Sequence, residues 1–143
     1  MCRTILVATD SSDESRAALG HAVGLAEKLG ATVHVVTVLD TRSNPYHFGV
    51  REVDAMNDAA RELLEDVTTA YDGRDVPFEL EILRGNPAKS IVEYAESIDA
   101  DLIVAGKRGD DGITGVLLGS TTDRLARLTE IPLTIVPADS STA

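Results

Sequence analysis

Short apolar runs alternate with helix-length segments along the whole chain, and this alternation narrows the fold more than any single motif does. Ile5-Leu6-Val7-Ala8 contains no polar position, and Thr32 to Leu39, rich in β-branched residues, reads as a second strand of the same kind. A strand with one wet face alternates apolar and polar residues, so a continuous run asks for cover on both faces. Between the two runs, Ala18, Ala22, Leu25, Ala26 and Leu29 recur at helical spacing, and Gly30 is a suitable left-handed stop. Strands joined through helical crossovers of ten or more residues run parallel.

The rest of the chain repeats this unit. A loop through Asn44-Pro45 leads to a helical stripe from about Glu52 to Tyr71, carried by Met56, Ala59, Ala60, Leu63, Leu64 and Val67 and broken at Asp72-Gly73. Phe78 to Leu83 alternates with period two and suits a strand nearer an edge. Asn86-Pro87 opens a helix, Asn as cap and Pro in the first turn, with Ala88, Ile91, Val92 and Ala95 facing inward. Asp101 to Ala105 is a further buried strand. Leu125 and Leu128 mark a short helix from about Ser120 to Thr129, and Ile131 to Val136 closes the sheet. Ser11, with Glu14 three residues on, has the pattern of a capping box for the first helix. The expected fold is α/β: a single-domain, open, parallel five-stranded sheet of order 3-2-1-4-5 with helices on both faces. The domain spans residues 1–137, and Ala138 to Ala143 form a frayed tail.

Composition removes several classes of function. At 143 residues, 43% of them hydrophobic, the chain makes one domain with a substantial core. A single cysteine, Cys2, excludes an internal disulfide framework, and His21, His34 and His47 lack the spacing of a paired metal site. No run is long and apolar enough for a membrane span and no signal-peptide pattern opens the sequence, so a cytoplasmic protein is expected. The formal charge of −11 argues against nucleic acid, whose binders need clustered Lys and Arg. Three lysines against twenty-four acids suit a salt-rich cytoplasm, where surface repulsion is screened; a merely acidic protein is the alternative.

In an open parallel sheet, ligands bind beyond the carboxyl ends of the strands where strand order reverses. In the expected order that point lies between the first and fourth strands, whose ends are Thr9-Asp10 and Gly106. Gly106-Lys107-Arg108-Gly109 is followed, after nine residues, by Gly119-Ser120 at a helix start. Gly106 and Gly109 are free to take positive φ and let the backbone approach an anion, while Gly119-Ser120 offers amides and a hydroxyl, and Lys107 and Arg108 add charge. Since micromolar affinity needs about 8 kcal/mol and a charge-assisted hydrogen bond supplies about 1.5–3, several amides must act together. The plainer alternative is a mobile glycine-rich connection. The spacing is neither GxxxxGK[ST] nor GxGxxG. Asp10 reads as a ligand contact or as a cap, Val38 as core or as a backbone contact for a base, and Asp110-Asp111 as a solvated pair or as metal ligands.

Gly106-x-x-Gly109, nine residues, then Gly119-Ser120 resembles the pattern of nucleotide-binding universal stress proteins. Ile5-Leu6-Val7-Ala8-Thr9-Asp10 and Ile131-Pro132-Leu133-Thr134-Ile135-Val136-Pro137 resemble that family's first and last strands. The resemblance implies a fold of the adenine nucleotide alpha hydrolase type and a stress-response module that binds ATP. Asp10 would approach the adenosine and Val38 the adenine, with Ala8, Thr9 and Ala105 lining the base and ribose pocket. Gly106, Arg108, Gly109, Gly119, Ser120 and Thr121 would surround the triphosphate, with Mg or Mn bridging its oxygens. It also implies a homodimer through the last strand, Leu133 to Val136, and an unidentified protein partner. Ser11 stands where many members have glycine, and Asp110-Asp111 where many are basic or neutral. Two other functions remain open: a slow ATP hydrolase, with no evident general base or Walker lysine, and a dimeric interaction protein without nucleotide.

Overall fold

The computed structural model describes residues 2–10, 12–39, 50–107 and 119–138. Its elements alternate strictly: β1 Thr4–Ala8, α1 Asp13–Leu29, β2 Thr32–Leu39, α2 Val50–Ala70, β3 Phe78–Arg84, α3 Pro87–Ser97, β4 Leu102–Gly106, α4 Ser120–Leu128 and β5 Leu133–Val136. All four strand pairings are parallel and the order is β3-β2-β1-β4-β5, as the alternation predicts.

The central strand is buried on both faces, which is why it carries no polar side chain between Thr4 and Thr9. Ile5, Leu6 and Val7 are all fully buried. Ile5 and Val7 face a core shared with α1 and α2, through Ala18, Ala22, Val23, Ala26, Leu64 and Val67. Leu6 points the other way, into a second core with Val36, Ile91, Ala95, Ile103 and Leu125 from β2, α3, β4 and α4. The chain therefore leaves β1 toward one face and β4 toward the other. A crevice opens between their carboxyl ends.

Local chemistry explains the boundaries. Gly30 ends α1 in the left-handed conformation, φ 68°, which side chains resist. Asn86 caps α3 by accepting from the Lys89 amide at 3.3 Å, with Pro87 in the first turn. Three expectations are corrected. The N-cap of α1 is Ser12, whose hydroxyl accepts from the Ser15 amide at 3.1 Å, so Ser15 rather than Glu14 stands three residues after the cap. Ser11 lies outside the described residues. Leu29 and Leu128 are 50% and 53% exposed, because each falls in the last turn, beyond the sheet its helix covers. β4 starts one residue later than expected: Asp101 stands just before it, its carboxylate accepting from the Arg3 and Thr4 amides at 2.9 and 3.1 Å and its own amide donating to the Thr4 carbonyl at 2.9 Å, which closes the entrance to β1. The Asn44-Pro45 loop, His47 and residues 139–143 of the expected tail also lie outside the described residues.

His34 on β2 lies beside Glu79 of β3 in the parallel register, and its Nδ1 is 3.3 Å from the Tyr94 hydroxyl of α3. Burial pushes the imidazole pKa below its ordinary 6.5, and nearby Glu79 opposes the shift. Below pH 6.5 the unfolded chain thus takes up the proton more readily than the folded one. This contribution to stability is present above pH 6.5 and is lost as pH falls through the lowered value. Chemical denaturation at a series of pH values should show His34→Gln losing less stability than the wild type just below pH 6.5; parallel curves would contradict this.

Candidate functional site

The crevice between β1 and β4 holds a cavity of about 180 Å³, partly open to solvent. Ala8, Thr9 and Asp10 reach it from the end of β1, Val38 from the end of β2, and Ala105 and Gly106 from β4. Pro87 and Ile91 come from α3, and Gly119, Ser120, Thr121, Thr122 and Leu125 from the start of α4, with Ser15 from α1. Nine of the residues expected to bind ligand therefore surround one space: Ala8, Thr9, Asp10, Val38, Ala105, Gly106, Gly119, Ser120 and Thr121. Arg108 and Gly109, and with them Asp110, Asp111, Gly112 and Gly115, lie outside the described residues.

Each strand end is shaped by hydrogen bonds that continue past it. Beyond β1, the Thr9 amide donates to the Val36 carbonyl at 2.8 Å and so extends the pairing with β2. Asp10 then turns, and its Oδ1 accepts from the Ser12 amide at 2.8 Å. The cap reading of Asp10 is corrected: Ser12 is the N-cap of α1, while the Asp10 carboxylate shapes the approach to that helix and the residue lines the cavity. Beyond β4, the Lys107 amide donates to Val136 of β5 at 2.7 Å, while its carbonyl accepts from the Gly119 amide at 2.9 Å. Thr122 Oγ1 donates to the Gly106 carbonyl at 2.7 Å. Together these bonds set the first turn of α4 against the end of β4. Gly119 caps that helix without a side chain, so the turn that lines the cavity has no side-chain cap on its amides.

Two expectations about the glycine loop change. Lys107 is not among the residues lining the cavity; it acts through its backbone, by joining β5 to Gly119. Gly106 does not adopt positive φ. It is glycine because a Cβ there would lie 2.8 Å from the Glu14 carbonyl carbon and 2.9 Å from its oxygen. The first turn of α1 rests directly on the end of β4.

The cavity lining mixes two chemistries. Ala8, Val38, Pro87, Ile91, Ala105 and Leu125 supply an apolar surface suited to a flat ring. Thr9, Ser120, Thr121, Thr122 and the start of α4 supply hydroxyls and a helix N-terminus, which suit an anion. Asp10 is the one titratable side chain among the described lining residues. The described residues contain no group of three His, Cys, Asp or Glu that could hold a metal. Asp10 is the one carboxylate of the described lining that could stand beside a divalent ion. Reasoning from the sequence missed Ser15, Pro87, Ile91, Thr122 and Leu125. Ile91 reads from the sequence as inward-facing, Leu125 as part of a short helix and Pro87 as a helix start; each also contributes to the cavity wall.

Comparison with known proteins gives this geometry a context. The model of the universal stress protein family matches residues 1–137. Universal stress protein MJ0531 of Methanocaldococcus jannaschii is 33% identical over 140 residues, covering 94% of this chain and 81% of that one. Among solved structures, hypothetical protein MJ0577 shares the fold with a TM-score of 0.88 at 24% identity, over 98% of this chain and 99% of that one. A universal stress protein crystallised in complex with cAMP matches with a TM-score of 0.65 at 26% identity, over 96% and 98%.

Gly106→Ala tests the close contact between β4 and α1. The new methyl group meets backbone that cannot step aside, so the variant should lose about 1–3 kcal/mol of stability in urea denaturation. An unchanged midpoint would mean that α1 moves away at no cost.

Proposed function

The chain belongs to the universal stress protein family, and from that premise we propose that its cleft binds ATP and that bound nucleotide regulates a stress-response role. The observation that carries this reading is the convergence on one cavity of nine residues that the family resemblance marks as nucleotide contacts. The relative crystallised with cAMP supports the choice of an adenine nucleotide.

Val38 and Ile91 present an apolar surface for adenine, and Asp10 presents a carboxylate edge for the ribose. The amides at the start of α4 and the hydroxyls of Ser120 and Thr121 would meet the phosphates, and Arg108 and Gly109 are proposed as further contacts. Magnesium or manganese, when bound with ATP, would neutralise phosphate charge and is held mainly by the nucleotide. Binding is the leading reading and slow hydrolysis the alternative, because Asp10 is the one carboxylate among the described lining residues and no second titratable group stands beside it there to share acid-base work.

The same reading extends to assembly and environment. β5 is an edge strand of four half-buried residues, Leu133–Val136, and a second copy of the chain pairing there would satisfy its open side. The charge of −11 fits a chain adapted to high salt. On that account stability rises steadily from 0.1 M to multimolar KCl, and a flat or falling curve argues for an ordinary acidic protein.

Calorimetry of dialysed protein with MgATP, AMP and GTP, at low and high salt, tests the binding claim. Heat with MgATP and little with GTP is expected; no heat under any condition rules the claim out. Gly119→Val should weaken MgATP binding at least about tenfold, about 1.4 kcal/mol, while leaving the domain folded. Gly119 has φ −68° and ψ 159°, a conformation valine accepts, so the cost falls on the ligand rather than on the backbone.

A further inference from the structure

We propose that Ser15 is the positioning residue of the cleft: its buried hydroxyl ties Thr9, Asp10 and Ser12 together and so presents the Asp10 carboxylate to a ligand. Ser15 sits in the first turn of α1, is 5% exposed and lines the cavity. Its Oγ is 2.9 Å from the Ser12 carbonyl and 3.2 Å from that of Asp10. It also lies 3.3 Å from the Asp10 amide and 3.4 Å from Thr9 Oγ1.

A serine hydroxyl has one proton to give and two lone pairs. It donates to one of the two carbonyls, Ser12 being nearer, and accepts from the Asp10 amide and the Thr9 hydroxyl. Two further bonds close the ring: the Ser15 amide donates to Ser12 Oγ at 3.1 Å, and the Ser12 amide donates to Asp10 Oδ1 at 2.8 Å. Among the described residues, each of these side-chain bonds thus passes through Asp10, Ser12 or Ser15. One Asp10 oxygen is engaged by this ring, and the other takes no partner among the described residues. Removing the Ser15 hydroxyl strands the Asp10 amide and loosens the ring, and the carboxylate loses its fixed direction.

The consequence for binding rests on the nucleotide reading; the consequence for the turn does not. The test is a double-mutant cycle of Ser15→Ala and Asp10→Ala, read by MgATP affinity, together with hydrogen exchange of the Asp10 and Ser12 amides in the ligand-free protein. Ser15→Ala should raise the Kd about tenfold in the wild-type background and less than about twofold in the Asp10→Ala background, since its effect passes through Asp10. In the free protein it should speed exchange of both amides. Ser15→Thr, which keeps the hydroxyl, should restore affinity to within about threefold. Ser15→Cys, close to serine in size and a weaker acceptor, serves if Ser15→Ala does not fold. Full additivity in the cycle, or unchanged exchange of the Asp10 and Ser12 amides, overturns the proposal. If the wild type binds no MgATP, the nucleotide reading fails, and the exchange measurement alone decides the role of Ser15.

Discussion

Burial of β1 on both faces is the constraint from which the architecture follows. Ile5, Leu6 and Val7 have no contact with water, so each face of the strand needs its own layer of helix. α1 and α2 cover one face, while α3 and α4 cover the other. The exits from β1 and β4 must then diverge, and the space between them cannot be filled by either connection. The cleft results from covering a fully apolar strand twice.

What lines that cleft is decided by backbone groups at the strand ends, where the ladder stops and each amide and carbonyl needs a new partner. Lys107 spends its amide on β5 and its carbonyl on Gly119, and Thr122 takes the Gly106 carbonyl. On the other side, Asp10, Ser12 and Ser15 satisfy one another. Gly106 joins the two sides, because its missing side chain lets Glu14 of α1 lie against the end of β4. These bonds lie within the chain itself, so a ligand bound there would have less to order.

Features governed by neighbours in the chain were legible in the sequence. β1 and β2 begin and end where their apolar runs do, Gly30 stops α1, and Asn86-Pro87 starts α3. Features governed by contacts across the fold were not. Ser11 and Ser12 have the same chemistry, and only the path of the turn makes Ser12 the cap. Gly106 resembled a flexible phosphate contact until the distance to Glu14 gave it a steric reason. Ser15 carries no signal in one dimension, since nothing there brings its hydroxyl back to the amide of Asp10. Leu128 keeps the helical period but falls past the edge of what α4 covers.

The central claim is that an adenine nucleotide occupies the cleft between β1 and β4, and mapping the amide resonances of the labelled protein during titration with MgATP tests it most directly. The account predicts saturable shifts at Thr9, Asp10, Val38, Gly106 and Gly119 to Thr122, with little change along α2 and the outer side of β3. Saturable shifts centred elsewhere, or none at millimolar nucleotide, would contradict it.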